Sequence, residues 1–123
     1  MSKKHIALVI GNAAYAEVSP LTNPTNDADD VAAILVKRDF TVIKKTDCTH
    51  KEMDVALKEF RTALKDSDVG LFFFAGHGMQ IDGENYLAAI DADADTEIDA
   101  KHSSLPLNRV IAHTSGTQPP YYT

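Results

Sequence analysis

Two kinds of hydrophobic pattern alternate along the chain. Ile6–Ile10 is a continuous apolar run that ends at Gly11-Asn12, and Val69–Gly76 is a second run of the same kind. A run that is apolar at every residue is typical of a strand covered on both faces, as in a parallel sheet. The segment TVIKK, between the two runs, is predicted to form a further short strand.

Two segments between these strands carry helical periodicity. In the first, TNDADDVAAILVKRDF, Asn26 or Asp27 can cap the amino end. Its shared apolar face is predicted to contain Val31, Ile34, Leu35 and Phe40. In the second, TDCTHKEMDVALKEFRTALKD, Thr49 and Glu52 have the spacing of a capping box. Its apolar residues at helical spacing are Met53, Leu57, Phe60 and Leu64.

The order β-α-β-α-β predicts an α/β fold, with a mostly parallel sheet and helices on both faces. NYLAAID is predicted to form a short strand that follows a turn at Gly83. After Asp99 the pattern weakens and apolar anchors become few. LPLNRVIAHTSG is a candidate third helix, and the final TQPPYYT predicts no further strand.

Composition and charge narrow the function classes. The chain has 123 residues, which suits one domain, and 44% hydrophobic with 24% charged residues is ordinary for a soluble protein. A net charge of -6 disfavours nucleic-acid or anionic-membrane surfaces, and no apolar stretch approaches the roughly 20 residues of a membrane span. The single cysteine, Cys48, excludes an internal disulfide framework, so we expect a cytoplasmic protein.

The most distinctive candidate for chemistry is a histidine between two glycines. Gly76-His77-Gly78 follows the apolar third strand, and functional residues of open α/β sheets gather at the carboxyl ends of strands. Flanking glycines remove Cβ bulk and let a substrate backbone come close, and histidine suits proton transfer near neutral pH. By spacing alone, the motif also fits a tight turn with a satisfied histidine.

Four stretches, in this order, resemble a bacterial caspase-like protease: HIALVIGNAAY, LTNPTNDADDVAAIL, LFFFAGHGMQIDGENYLAAID and PLNRVI. The clan includes caspases, metacaspases and paracaspases, and the resemblance covers residues 5–112. It implies a three-layer α/β/α fold and a Cys-His dyad endopeptidase acting on peptides or proteins. His77 matches the catalytic histidine, and the Gly78 N–H would help to bind the oxyanion. Asp27 matches a metacaspase aspartate that helps to form an acidic pocket for Arg or Lys at the cleavage site.

The chain departs from this pattern at the nucleophile. The family's cysteine follows a fourth strand, but no cysteine follows His77 in the sequence. We therefore read residues 1–123 as the N-terminal part of a single caspase-like domain, with its C-terminal strands missing and without protease activity. Cys48 precedes a helix N-terminus, which would lower its thiol pKa, yet it does not match the nucleophile's position. It is interpreted as an incidental loop cysteine.

A non-catalytic reading stays open beside the protease reading. A pseudoenzyme or a protein-interaction module would also lack the nucleophile. Leu71–Phe74 are consecutive apolar residues, and a third strand without a neighbour would expose its edge, which favours a homodimer or higher oligomer. The alternative is that LPLNRVIAHTSG folds back as a lid over a monomer. A nucleotide-binding domain is disfavoured, because Gly11-Asn12 is no phosphate-cradling loop.

The acidic run Asp91–Ala100 invites a test for a calcium loop. Thr96 stands where an EF-hand needs glycine, and His102 where it needs a bidentate glutamate. We therefore expect no metal site and no cofactor, although some metacaspases bind an activating calcium ion through acidic loops. The histidines show no zinc-ligand spacing with Cys48.

Overall fold

The computed structural model of the protein describes residues 4–113 and 121–122. The strands in this part of the chain are β1 (His5–Gly11), β2 (Phe40–Thr46), β3 (Val69–Ala75), β4 (Gly78–Ile81), β5 (Glu84–Ala88), β6 (Ser104–Pro106) and β7 (Tyr121–Tyr122). The helices are α1 (Pro24–Lys37), α2 (His50–Leu64), α3 (Glu97–His102) and α4 (Leu107–His113).

The main sheet has the strand order β2-β1-β3-β7, and each neighbouring pair is parallel. The predicted β-α-β-α-β order and parallel sheet are therefore confirmed. Gly11 is level with Thr46 of β2 and with Ala75 of β3. Because three strands end at one level, the segments that follow them meet at one edge of the sheet.

Strand β1 is buried on both faces, which explains its continuous apolar run. Successive side chains of a strand point to opposite faces. The cluster on the α2 face includes Ile6, Leu8, Ile10, Met53, Phe60 and Phe72. The cluster on the α1 face includes Ala7, Val9, Ala28 and Leu35, with Phe73 packed against them. Helices thus cover the sheet on both sides, as in the three-layer α/β/α class.

A second, antiparallel sheet of β4, β5 and β6 lies beyond the carboxyl end of β3. Its first hairpin turns at Asp82 (φ 53°) and Gly83 (φ 80°), a pair of positive φ angles typical of a two-residue hairpin turn. The sequence pattern indicated only one strand here, at NYLAAID. That strand ends earlier than predicted, at Ala88, and its partner β4 was missed.

The two long helices differ in how well their sequence predicted them. In α2 the Thr49–Glu52 capping box is present, and the four apolar residues predicted to share its face are buried. In α1 the predicted caps are wrong: the helix begins earlier, at Pro24, because a proline with its fixed φ is favoured in the first turn. Ile34, predicted to face the core, is 57% exposed.

The C-terminal part of the chain is better anchored than its sequence pattern indicated. Leu105 and Val110 are both fully buried, so the expectation of few apolar anchors after Asp99 is wrong. The expectation that TQPPYYT contains no strand is also wrong, because Tyr121–Tyr122 pairs in parallel with Leu71 and Phe72. Pairing to a strand edge uses backbone groups and needs no apolar pattern. The other residues of TQPPYYT lie outside the described residues.

Candidate functional site

His77 lies between the end of β3 and the start of β4, at the edge where the parallel strands end. Gly76, just before it, has a φ of 157°, and a Cβ built on it would lie 2.6 Å from the Tyr15 hydroxyl oxygen and 2.8 Å from the Phe74 ring. The close approach of Tyr15 and Phe74 to the backbone therefore requires glycine at position 76. The sequence pattern predicted a tight turn or the approach of a substrate as the reason for this glycine, whereas the neighbour that needs the space is Tyr15.

The imidazole of His77 is held from two sides. Its Nε2 lies 2.7 Å from the Ser19 carbonyl oxygen, and its ring centroid lies 4.7 Å from that of Tyr15. A carbonyl oxygen only accepts hydrogen bonds, so Nε2 carries the proton that binds Ser19. In the neutral ring, Nδ1 then keeps its lone pair and can accept a proton.

Tyr15 connects the histidine backbone to the hairpin. Its hydroxyl accepts the His77 N–H at 2.9 Å and donates to the Ala88 carbonyl at 3.0 Å. Burial raises the pKa of Tyr15, the His77 N–H opposes that effect, and the Asp47 carboxylate adds to it. The phenol therefore stays protonated at neutral pH and can keep donating to Ala88.

Asn12 is a fully buried amide that joins the ends of the strands. Its backbone N–H donates to Ala75 of β3 at 2.9 Å, and its side-chain Nδ2 donates to Ala88 of β5 at 3.1 Å. Its Oδ1 accepts the Cys48 N–H at 2.9 Å. From the sequence, Asn12 was placed at the end of the first strand but given no role, and Tyr15 was missed; the only signal was their place shortly after that strand.

The loop 12–23, which carries Ser19, is fixed by Asp47 at the end of β2. One oxygen of the Asp47 carboxylate accepts the N–H groups of Ala13 and Ala14, at 2.9 and 3.0 Å. Leu21 closes the loop by donating to Ala13 at 2.8 Å. The Ser19 carbonyl is thus presented to His77 by a loop whose ends are tied to the sheet.

Gly78, the second glycine of the motif, opens β4 and is exposed. It is paired with Leu87 in the antiparallel ladder, and in the preceding pair Ala88 donates to the His77 carbonyl at 2.9 Å. Hydrogen-bonded and non-hydrogen-bonded pairs alternate in such a ladder. The Gly78 N–H is therefore directed away from β5 and is not used by the ladder.

A groove of about 610 Å³ is lined by residues of β3 and of the β4–β5 hairpin, and it reaches both Gly76 and Gly78. Its apolar walls are Phe72, Phe74, Met79, Leu87 and Leu107. An apolar groove between strands can take up an extended peptide segment.

Cys48 lies away from this groove, in the core on the α2 side of the sheet. It is 2% exposed, and its carbonyl accepts the Ile90 N–H at 2.9 Å. Burial, and next the Glu52 carboxylate, raise the pKa of the Cys48 thiol to about 11, against the opposing effect of Lys45. The prediction that the helix N-terminus lowers this pKa is wrong, because desolvation of the thiolate outweighs the helix dipole.

Asp27 is exposed in the first turn of α1, and its N–H donates to the Asn23 carbonyl at 2.9 Å. Among the described residues, no hydrogen bond or ion pair joins Asp27 to His77. The structure thus brings His77 and Gly78 together and leaves Asp27 in solvent, at the far end of the loop that carries Ser19.

The acidic run uses its carboxylates to bind backbone groups. Asp91 accepts the His50 N–H at the start of α2 at 2.9 Å, and Asp93 accepts the Asp95 N–H at 3.0 Å. Within the described residues, no three His, Cys, Asp or Glu side chains converge as they would around a metal ion. In the same part of the chain, no helix has both the length and the apolar character needed to cross a membrane.

Comparisons with known proteins agree with this geometry. A family model described as the caspase domain of the C14 peptidases matches residues 4–117. Mucosa-associated lymphoid tissue lymphoma translocation protein 1 of Homo sapiens is 35% identical over 92 residues, which are 75% of this chain and 11% of that protein. Its Mus musculus homolog gives the same values.

Among solved structures, protein GSU0716 from Geobacter sulfurreducens has the same fold. The TM-score is 0.70 at 21% sequence identity, and the match covers 93% of this chain and 46% of that one. The resemblance read from the sequence is confirmed by these matches. The chain belongs to the caspase-domain family of C14 peptidases.

Proposed function

We propose that this chain carries the histidine half of a cysteine-endopeptidase dyad, with His77 as its proton acceptor, and that it hydrolyses no peptide bond by itself. The observation that carries the proposal is the glycine-flanked imidazole at the carboxyl end of β3, with its Nε2 on the Ser19 carbonyl. Membership of a peptidase family supports the same role.

We propose a separate task for each group around the imidazole. Nδ1 takes the proton of a cysteine thiol, and the thiolate attacks the carbonyl carbon of the peptide bond. The Ser19 carbonyl stabilises the imidazolium that forms, and the imidazolium then protonates the leaving amine. The Gly78 N–H, which is directed away from β5, donates to the oxyanion of the tetrahedral intermediate.

The missing element is the thiol. No cysteine follows His77 in the sequence, and Cys48 is the single cysteine. Its thiol is buried and has a pKa of about 11, so at neutral pH it is protonated as well as inaccessible. A nucleophile needs the thiolate in reach of the histidine, and Cys48 meets neither condition.

The substrate class follows from Asp27. Its carboxylate is exposed in the first turn of α1, directly after the loop whose Ser19 carbonyl contacts His77. We propose that it favours Arg or Lys on the amino side of the cleaved bond. The apolar groove beside Gly78 then receives a neighbouring part of the same extended peptide.

Turnover of fluorogenic peptides tests the proposed inactivity. Substrates with Arg, Lys or Asp at the cleavage site are offered to the wild-type chain, Cys48→Ala and His77→Ala, with and without calcium. All three proteins should give the rate of buffer alone. Hydrolysis by the wild type that disappears in Cys48→Ala would make Cys48 the nucleophile and refute the proposal.

A second candidate function is self-association, and one observation favours it. Strand β7 pairs with Leu71 and Phe72, so the outer edge of Phe73–Ala75 has no strand partner among the described residues. Unpaired strand edges pair with other chains. We propose a homodimer through this edge, in the reducing cytoplasm that suits a single buried cysteine. The molecular mass measured by light scattering at micromolar concentration should exceed the 13.4 kDa of one chain. A monodisperse monomer would contradict the dimer.

A further inference from the structure

The antiparallel ladder of β4 and β5 is interrupted where it reaches His77. Ala88 donates to the His77 carbonyl at 2.9 Å, as expected of a hydrogen-bonded pair. The return bond, from the His77 N–H to the Ala88 carbonyl, is replaced by the Tyr15 hydroxyl. This hydroxyl accepts from His77 at 2.9 Å and donates to Ala88 at 3.0 Å.

The hydroxyl bridges the two strands at this pair, where a direct bond from the His77 N–H to Ala88 would otherwise lie. The Tyr15 ring fills the space behind the imidazole, at a centroid distance of 4.7 Å and an interplanar angle of 57°. Gly76 leaves room for this arrangement, because any Cβ there would overlap the hydroxyl.

The hydroxyl is itself firmly placed. Tyr15 is 5% exposed, and its own N–H donates to Ala13 at 3.0 Å. The Ala88 carbonyl that it binds also accepts from Asn12 at 3.1 Å. Backbone, ring and hydroxyl of Tyr15 are therefore all constrained, so they can transmit that constraint to His77.

We propose that Tyr15 is a positioning residue for His77, which sets the backbone of the histidine through its hydroxyl and the plane of the imidazole through its ring. The role rests on the proposed function of His77 as proton acceptor. Without the hydroxyl, the His77 N–H loses the acceptor that fixes the backbone of the histidine. The imidazole then moves away from Ser19 and loses its single tautomer.

Nuclear magnetic resonance of the peptide-free chain tests the role without any enzyme activity. In Tyr15→Phe, exchange of the His77 amide proton should become roughly 2- to 10-fold faster, since one hydrogen bond is lost. The ¹⁵N shifts of the His77 ring should change from one tautomer, protonated at Nε2, to a mixture. Tyr15→Leu should in addition remove the ring-current shift on the imidazole protons.

Tyr86→Phe is the matched control, since Tyr86 is 8% exposed on β5 and loses the same atom. It should leave His77 exchange and tautomer unchanged. The proposal is wrong if Tyr15→Phe leaves both unchanged, or if exchange rises equally at Leu8 and Phe72 in the core. Equal rises would mean that Tyr15 only stabilises the fold.

If the variants fail to fold, a measurement on the wild-type chain still tests the proposal. A slowly exchanging Tyr15 hydroxyl proton with a cross-peak to the His77 amide proton is expected, and absence of that proton overturns the proposal. The outcome is separate from the fate of the proposed function. If peptides do not bind near His77 while the hydroxyl bond is intact, the proposed function fails and the positioning geometry stands.

Discussion

At the scale of single residues, burial decides which side chains are chemically available. Cys48 and His77 are the two groups that could form a dyad, yet the thiol is 2% exposed while the imidazole is only partly buried. Removing a thiolate from water costs more than a nearby helix N-terminus returns. An exposed thiol in place of Cys48 would be available as a nucleophile, and a fully buried imidazole in place of His77 would not be available for proton transfer.

The Cys48 thiol should make stability depend on alkaline pH. Its pKa is raised from 9.0 to about 11 in the folded chain, so the unfolded chain loses this proton first as the pH rises. The free energy of unfolding should therefore fall between about pH 9 and 11, by up to roughly 3 kcal/mol from this group. Urea unfolding of wild type and Cys48→Ala at pH 8 and 10.5 measures it. Equal losses in both proteins would show that the thiol contributes nothing.

Asn12 should be the polar side chain whose loss costs most stability at this edge. Asn12→Ala leaves the buried Cys48 N–H without its acceptor, which should lower the free energy of unfolding by roughly 1–3 kcal/mol. Asn108→Ala, at an exposed site, is the control and should stay within about 0.5 kcal/mol. Urea titration of both variants decides, and equal stability of the two would contradict the role given to Asn12.

At the scale of elements, some helices and strands are determined by local sequence signals and others by long-range contacts. Helix α2 was predicted correctly because its cap and its apolar face both depend on residues that are close in sequence. Strand β7 and the start of α1 do not, since an edge pairing and a proline-initiated turn depend on what lies beside them. The contribution of a helix cap to stability can therefore be tested most directly at the start of α2.

Thr49→Ala should lower the free energy of unfolding by about 1 kcal/mol, because the Glu52 N–H at the start of α2 loses the Thr49 hydroxyl as its acceptor. The bonds from Thr49 lower the pKa of Glu52 in the folded chain. A lowered carboxyl pKa stabilises above the unfolded pKa, and this part is lost as the pH falls through the folded pKa, so the difference between the two proteins should narrow on acidification. Thr62→Ala, exposed in the same helix, should be near neutral. A Thr49→Ala variant as stable as Thr62→Ala at pH 7 would count against the box.

At the scale of the whole molecule, the sheet and the histidine could be predicted from sequence, and the support of the histidine could not. The run Ile6–Ile10 and the Gly-His-Gly turn are local patterns. Tyr15 and His77 are 62 residues apart, and no pattern in either segment predicts their hydrogen bond. Such a contact exists only because β1 and β3 are parallel neighbours that end at the same level.

Titration of the ¹⁵N-labelled chain with a short Arg-containing peptide tests the central claim most directly. The account predicts saturable shifts of the His77 and Gly78 resonances, and binding weakened roughly 2- to 5-fold by Asp27→Asn, the loss of one exposed charge pair. Asp30→Asn, an equally exposed change on α1, should leave the affinity unchanged. Saturable binding that leaves His77 and Gly78 unshifted, or no binding at millimolar peptide, would contradict His77 as the histidine of a peptidase site.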